Sequence, residues 1–237
     1  VDGSEAKNLG AMHTHFVNAC GLDAEGHLSS ARDVALMSRE ILLHHSEVRD
    51  YCSVWMDTLR GGATQLVNTN KLLKSYTGIT GLKTGTTGEA GSCITATAER
   101  EGLSLIAVVL GADSTDHRFQ DAAALLDYGF AGWKATVPEA PALEPVPVAR
   151  GMAPTVEAQV GESPSLLLEA AETGSVETEV LLEELTAPVK AGDVIGTVRY
   201  SLGGEVLAEV DITAAGDVEA VTFASALGHL FRGLFAL

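Results

Sequence analysis

Gly78-Ile-Thr-Gly-Leu-Lys83-Thr84-Gly85-Thr86-Thr87-Gly88 is the stretch from which the rest of the chain can be ordered. Its β-branched residues, bounded by glycines, read as a strand. Two more apolar runs follow at once, Ser92-Cys-Ile-Thr-Ala-Thr-Ala98 and Leu103-Ser-Leu-Ile-Ala-Val-Val-Leu110, joined by the charged turn Glu99-Arg-Glu-Gly102. Three consecutive strands connected this way make an antiparallel meander. A helix is predicted from about His117 to Tyr128, where Phe119, Ala122, Ala123, Leu125 and Leu126 supply a face to pack on that sheet. Upstream, Ser30-Ala-Arg-Asp33 has the pattern of a capping box, and Val34, Met37 and Ile41 recur at helical spacing until His44-His45. Helices and an antiparallel sheet in this order make an α+β unit, placed at residues 1–135.

Further on, Pro138, Pro141, Pro145 and Pro147 change the character of the chain. Such spacing favours an extended connector over a helix or a sheet interior, so residues 136–149 are read as a Pro-rich linker. Downstream, at 150–221, short alternating runs are separated by turn signals such as Lys190-Ala-Gly-Asp193 and the pair Gly203-Gly204, which suits a two-residue hairpin loop. This part reads as a small all-β domain. Residues 222–237 place Leu227, Leu230, Phe231, Leu234 and Phe235 on one helical face, too short to span a bilayer but suited to lying at its surface. Packing against a neighbouring domain would use the same face.

Thirty-two acidic against fifteen basic residues leave a net charge of −17, which repels phosphate backbones and argues against a nucleic-acid partner. Cys20, Cys52 and Cys93 lack metal-ligand spacing and are odd in number, so they are read as free buried thiols. His13 and His15 could share a strand face with His27 not far along. No acidic or cysteine partner stands at ligand spacing, so they are read as structural or surface histidines. The beginning at Val1-Asp2-Gly3 has no export signal, which fits either a cytosolic protein or a mature, trimmed one.

Six blocks carry a family resemblance: Gly10-Ala-Met-His-Thr-His-Phe-Val-Asn18, Gly21-Leu-Asp-Ala-Glu-Gly26, Ser29-Ser-Ala-Arg-Asp33, Val67-Asn-Thr-Asn-Lys-Leu-Leu73, Gly81-Leu-Lys-Thr-Gly85 and Leu125-Leu-Asp-Tyr-Gly-Phe130. In this order the chain resembles the low-molecular-mass penicillin-binding proteins that are D-alanyl-D-alanine carboxypeptidases, peptidase family S11. Ala187-Pro-Val-Lys-Ala-Gly-Asp-Val-Ile-Gly196 is similar to the C-terminal domain of the same family. The resemblance implies a penicillin-binding, β-lactamase-like transpeptidase domain followed by the β domain and a C-terminal amphipathic anchor. It further implies work on peptidoglycan stem peptides ending in D-Ala-D-Ala, β-lactam binding, no cofactor and no metal, and a place on the outer face of the bacterial cytoplasmic membrane.

Site residues carry over with that resemblance. Lys83 and Thr84 would fix the terminal carboxylate, an ammonium being a compact charge and a hydroxyl a directional bond. Gly85, without a Cβ, lets a peptide approach the strand, and the substrate would lie along it as an added strand. The backbone N–H of Thr86 would be one oxyanion donor. Arg118 is either a substrate-site residue or an exposed arginine at a helix start.

The other two family signatures are missing. No Ser-x-Asn occurs, and the only Ser-x-x-Lys is Ser4-Glu5-Ala6-Lys7, in surroundings unlike those of a nucleophile. The chain therefore reads as the C-terminal part of a serine carboxypeptidase, inactive alone. Its 79–110 meander is expected to expose apolar faces that seek a second copy or an N-terminal half of the same protein. A non-catalytic wall-binding or scaffolding homologue is the alternative. A class A β-lactamase is a weaker one, since a single domain would have neither the β module nor the tail.

Overall fold

The chain folds as two units, Val1–Lys134 and Ala135–Leu237, and the computed structural model describes residues 3–172, 174–225, 227 and 228. The side chain of Ser4 and most of the 222–237 tail lie outside the described residues. The first unit runs α1 (Gly3–Asn8), α2 (Ala31–His44), α3 (Val48–Cys52), β1 (Met56–Leu59), β2 (Thr64–Val67), α4 (Leu72–Ser75), β3 (Ile79–Thr87), β4 (Gly91–Arg100), β5 (Leu103–Ala112) and α5 (Thr115–Gly132). β1 and β2 form a hairpin, and β3, β4 and β5 form an antiparallel sheet in that order.

Period-two alternation sorts the sheet's side chains. Ile94, Ala96 and Ala98 of β4 and Ala107 of β5 turn to one face, where they bury against Phe119, Ala122 and Leu126 of α5. Complete burial of one such large side chain contributes about 1.5–3 kcal/mol. The turn between β4 and β5 places both Glu101 (φ 50°) and Gly102 (φ 77°) in the left-handed region. That is the pair of dihedrals a tight hairpin of this twist requires.

Helix α2 contacts β4 and β5. Ser30 caps it, its hydroxyl accepting the Asp33 amide at 3.2 Å. The side packed solidly is Asp33, Ser38 and Leu42. The apolar stripe of Val34, Met37 and Ile41 instead borders an open groove, and Ile41 and Leu110 remain exposed.

Asp33, 1% exposed, joins this helix to the segment before it. Its Oδ2 accepts from the His13 amide at 2.7 Å and the Thr14 hydroxyl at 2.8 Å. Burial by itself would raise this carboxyl, but the bonds from Thr14, His13 and Ser30, with the His13 charge, together hold it below its ordinary value of 3.8. A carboxyl depressed in the fold contributes stability that is full above its unfolded pKa and is lost as the pH falls through the folded one. We therefore expect Asp33→Asn to lower the melting temperature near pH 7, with the gap to the parent closing below about pH 4. A gap that stays constant from pH 7 to pH 3 would show that the charge contributes nothing.

From β6 (Trp133–Thr136) the chain enters the second unit, with β7 (Val146–Ala149), β8 (Thr155–Val156), β9 (Ala158–Val160), β10 (Leu166–Glu169), β11 (Glu177–Leu182), β12 (Leu185–Thr186), β13 (Val194–Leu202) and β14 (Glu205–Ala214). One sheet has the order β11-β13-β14-β9 and another β12-β7-β8. Ile195, Val198, Tyr200 and Ile212 meet Val146, Val148, Val156, Leu166 and Leu168 in one core. Gly203 and Gly204 turn between β13 and β14 with φ of 59° and 87°.

The expected linker needs correction at its C-terminal end. Residues 146–149 are a strand with Val146 and Val148 buried in the core and Pro147 turned out. A proline is tolerated in this middle strand because β12 pairs only with Val148 and Ala149, so at Pro147 the ladder has a partner on one side, Thr155 of β8. The charge is unevenly divided as well. From residue 135 onward there are 16 acidic and 4 basic residues, against 16 and 11 before it, so the second unit holds −12 of the −17.

Candidate active site

Strand β3 stands at the edge of its sheet, so among the described residues one side of its backbone has no neighbouring strand. A short polar loop supports the upstream half. The buried Asn70 donates from Nδ2 to the Gly81 carbonyl at 3.0 Å, and the hydroxyls of Thr69 and Thr84 lie 2.6 Å apart. The downstream half carries Lys83, Thr84, Gly85 and Thr86, paired in register with Thr95, Ile94, Cys93 and Ser92 of β4.

Alternation splits these residues between the two faces. Lys83 is exposed and borders the groove of about 460 Å³ between the sheet and α2, together with Val34, Met37, Ile41 and Cys52. Its Nζ donates to the Thr84 carbonyl at 2.5 Å. The Thr84 side chain is 8% exposed and engaged by Thr69. A hydroxyl has one donor and two acceptor positions, so two remain beyond the Thr69 bond, the donor among them when Thr69 donates.

Arg118 stands behind the strand. It lies in the first turn of α5, which Ser114 caps by accepting the His117 amide at 3.1 Å. It is not the exposed helix-start arginine that the sequence also allowed, being only 5% exposed. Its Nη1 donates to the Gly85 carbonyl and the Thr86 hydroxyl, both at 3.0 Å, and to the Cys93 carbonyl at 3.4 Å. The guanidinium also lies over the Phe119 ring at 4.8 Å. One buried cation thereby ties α5, β3 and β4 together at the point where the Lys-Thr-Gly run ends.

The groove holds no activated nucleophile among the described residues. Ser38 borders it, but its hydroxyl is donated to the Val34 carbonyl at 2.7 Å. Burial pushes the Cys52 thiol up, with the Lys83 ammonium pulling the other way, so the thiol stays protonated at neutral pH. Against the expectation of buried thiols, Cys20 is exposed and Cys52 and Cys93 are half-buried, all three being free.

The histidines tie loops. His15 Nδ1 bonds the Gly26 carbonyl at 2.8 Å, His27 Nδ1 accepts from the Val17 amide at 2.9 Å, and His13 is exposed beside Asp33. A group of three or more His, Cys, Asp or Glu side chains able to hold a metal does not occur among the described residues. Thr69 and Asn70 are the supports that sequence reasoning missed. They lie in the Val67–Leu73 block of the family resemblance, where the polar Asn68-Thr69-Asn70 run stands directly ahead of the apolar Leu72-Leu73, but nothing in that block assigned them a contact with β3.

With this geometry in hand, similarity to known proteins falls along both units. A family model described as D-alanyl-D-alanine carboxypeptidase matches residues 3–114, and one described as the C-terminal domain of penicillin-binding protein 5 matches residues 138–220. D-alanyl-D-alanine carboxypeptidase DacF of Bacillus subtilis is 36% identical over 227 residues, covering 92% of this chain and 58% of its own length. DacC of Escherichia coli is 32% identical over 219 residues, covering 90% and 54%. The chain thus spans a little over half the length of these relatives. Penicillin-binding protein 5 of Haemophilus influenzae superposes with a TM-score of 0.65 at 27% identity, over 92% of this chain and 64% of that one. Penicillin-binding protein D2 of Listeria monocytogenes, solved in ampicillin-bound and cefotaxime-bound forms, is 41% identical over 54% of this chain and 53% of its own, with a TM-score of 0.50.

Proposed function

The chain belongs to the D-alanyl-D-alanine carboxypeptidase family of penicillin-binding proteins, and from that premise we propose that its protein removes the terminal D-alanine from peptidoglycan stem peptides by serine acyl transfer, outside the cytoplasm. The observation that carries the reading is the edge strand β3, with the Lys83 ammonium on its groove face and the Arg118 guanidinium bracing its backbone from behind. A peptide added to this edge would gain main-chain hydrogen bonds. Its C-terminal carboxylate would take Lys83 and the remaining capacity of the Thr84 hydroxyl. Its scissile carbonyl would then sit two residues along, at the Thr86 N–H, where donors aimed at a developing oxyanion act in acyl transfer. β-Lactams would occupy the same strand.

Acylation also needs a serine and a base. Ser38 cannot serve while its proton is committed to Val34, so the reading requires a nucleophile from elsewhere in the protein. In intact mass measurements the whole gene product is expected to gain one penicilloyl group and to release D-alanine from a D-Ala-D-Ala peptide. The 237-residue chain alone is expected to do neither. An adduct on the chain that disappears in Ser4→Ala would make Ser4 and Lys7 the catalytic pair. A gene product that binds the peptide without turnover or adduct would favour the non-catalytic, wall-binding alternative.

We further propose that residues 222–237 rest on the membrane surface through their apolar face. Among the described residues no helix is long and apolar enough to cross a membrane. Removing 222–237 should abolish co-sedimentation with liposomes, and equal binding without them would reject the anchor.

A further inference from the structure

Among the described residues, β11 is the longest strand of the second unit to form a sheet edge. At the other end of its sheet β9 has three residues, and the edge strands β12 and β8 of the neighbouring sheet have two each. Edges that short offer little to pair with. β11 has six residues in unbroken register with β13, without proline or lysine, and all six are exposed.

Its free side follows from its hydrogen bonds. The Glu183 amide donates to the Ile195 carbonyl at 3.0 Å, and the register runs without a shift back to Glu177 and Ser201. Backbone groups alternate in direction along an antiparallel strand, so those of Glu177, Glu179 and Leu181 turn to β13. The amides and carbonyls of Thr178, Val180 and Leu182 turn outward, where an added strand would take them. Side chains divide as well. Val180 and Leu182 share the face of Val198 and Tyr200, which are fully buried, yet stay 36% and 47% exposed, so apolar surface is left open along this edge. On the opposite face stand Glu177, Glu179 and Glu183. Arg199 lies 3.3 Å from Glu179, while Glu177 and Glu183 are in no ion pair among the described residues.

Charge decides which strand fits. Two copies of this chain paired antiparallel about residue 179, 180 or 181 would set one glutamate directly opposite another, and like charges so placed destabilise a ladder. A complementary strand has apolar side chains opposite Thr178, Val180 and Leu182 and basic ones opposite Glu177, Glu179 and Glu183. We propose that the β11 edge is a docking site for an extended segment of a partner protein, in which apolar and basic residues alternate and which joins this sheet as an added strand. In such strand addition the main-chain bonds give affinity and the alternate side chains give specificity.

The probe is a fluorescent heptapeptide, Lys-Val-Lys-Val-Lys-Val-Lys, titrated with the intact gene product at low salt and followed by anisotropy. The readout is binding and does not depend on turnover. Three further peptides separate the causes: the same residues in blocks, the alternating sequence with its valine amides N-methylated, and a form with glutamate for lysine. The alternating peptide should bind about tenfold more tightly than the block isomer, with the other two unbound, and added salt should weaken it because exposed charges are screened. Val180→Pro removes an outward N–H and leaves the β13 ladder whole, so it should abolish binding with little change in melting. Should that variant fail to fold, Glu177→Lys/Glu183→Lys decides, since it should shift the preference to the glutamate peptide. Equal affinity for the alternating and block peptides would overturn the proposal, as would binding that persists in folded Val180→Pro or a charge variant with unchanged preference. A gene product that binds the peptide only after 222–237 are removed would show the edge filled by its own tail. A dimer in sedimentation that Val180→Pro dissociates would show it filled by a second copy. Either result overturns the partner segment.

Discussion

Lys83→Ala in the intact gene product should lower kcat/KM for a D-Ala-D-Ala peptide by roughly 30-fold to 4000-fold, the equivalent of about 2 to 5 kcal/mol for stranding a peptide carboxylate that binding takes out of water together with the ammonium. The side chain is exposed in the groove, so melting should move little. The loss is tied to substrate charge, which gives the control. A peptide whose terminal carboxylate is amidated should be a poor substrate of the parent and no poorer a substrate of Lys83→Ala. If the variant instead loses equally on both peptides, Lys83 acts on the strand rather than on the carboxylate.

Arg118→Met should act on stability first and on turnover through it. Three acceptors converge on one Nη1, and two of them are main-chain carbonyls of adjacent strands, Gly85 and Cys93. Removing the donor leaves them in a buried setting, and hydrogen bonds to charged groups are worth about 1.5–3 kcal/mol each, so a loss of about 2 to 4 kcal/mol in the first unit is expected. Turnover should fall as well, because Thr86 is released from the guanidinium that sets its place on β3. An ammonium has three rotatable donors, so Arg118→Lys should recover part of the melting temperature. Unchanged melting of Arg118→Met would show that the contact does not hold the strand.

The sheet was legible because its information is local. Lys83, Thr84 and Gly85 sit in a run with a clear strand pattern, the two following strands alternate cleanly, and Glu101-Gly102 marks the turn between them. The Ser30 cap was equally readable, since a capping residue acts three positions away. What was hidden depends on distance along the chain. Thr69 reaches Thr84, and Arg118 reaches Gly85 from a helix two strands later. Neither separation has a periodic signature, so the sequence could name Arg118 without saying that it is buried. The linker was overextended for a different reason. Pro145 and Pro147 dominate the local pattern, yet Val146 and Val148, each following one of them, alternate as a strand does, and the later start of β12 pairing is what makes the proline acceptable.

The division of charge has a consequence for how ionic conditions act on the second unit. A body with a net −12 repels anionic lipid headgroups over a Debye length, about 8 Å at physiological ionic strength. Proteins that reach such surfaces through basic clusters are released by salt. Here the sign is inverted, because added salt screens a repulsion. Raising ionic strength should ease this unit's approach to an anionic bilayer, and any attraction that holds it there has to come from apolar contact.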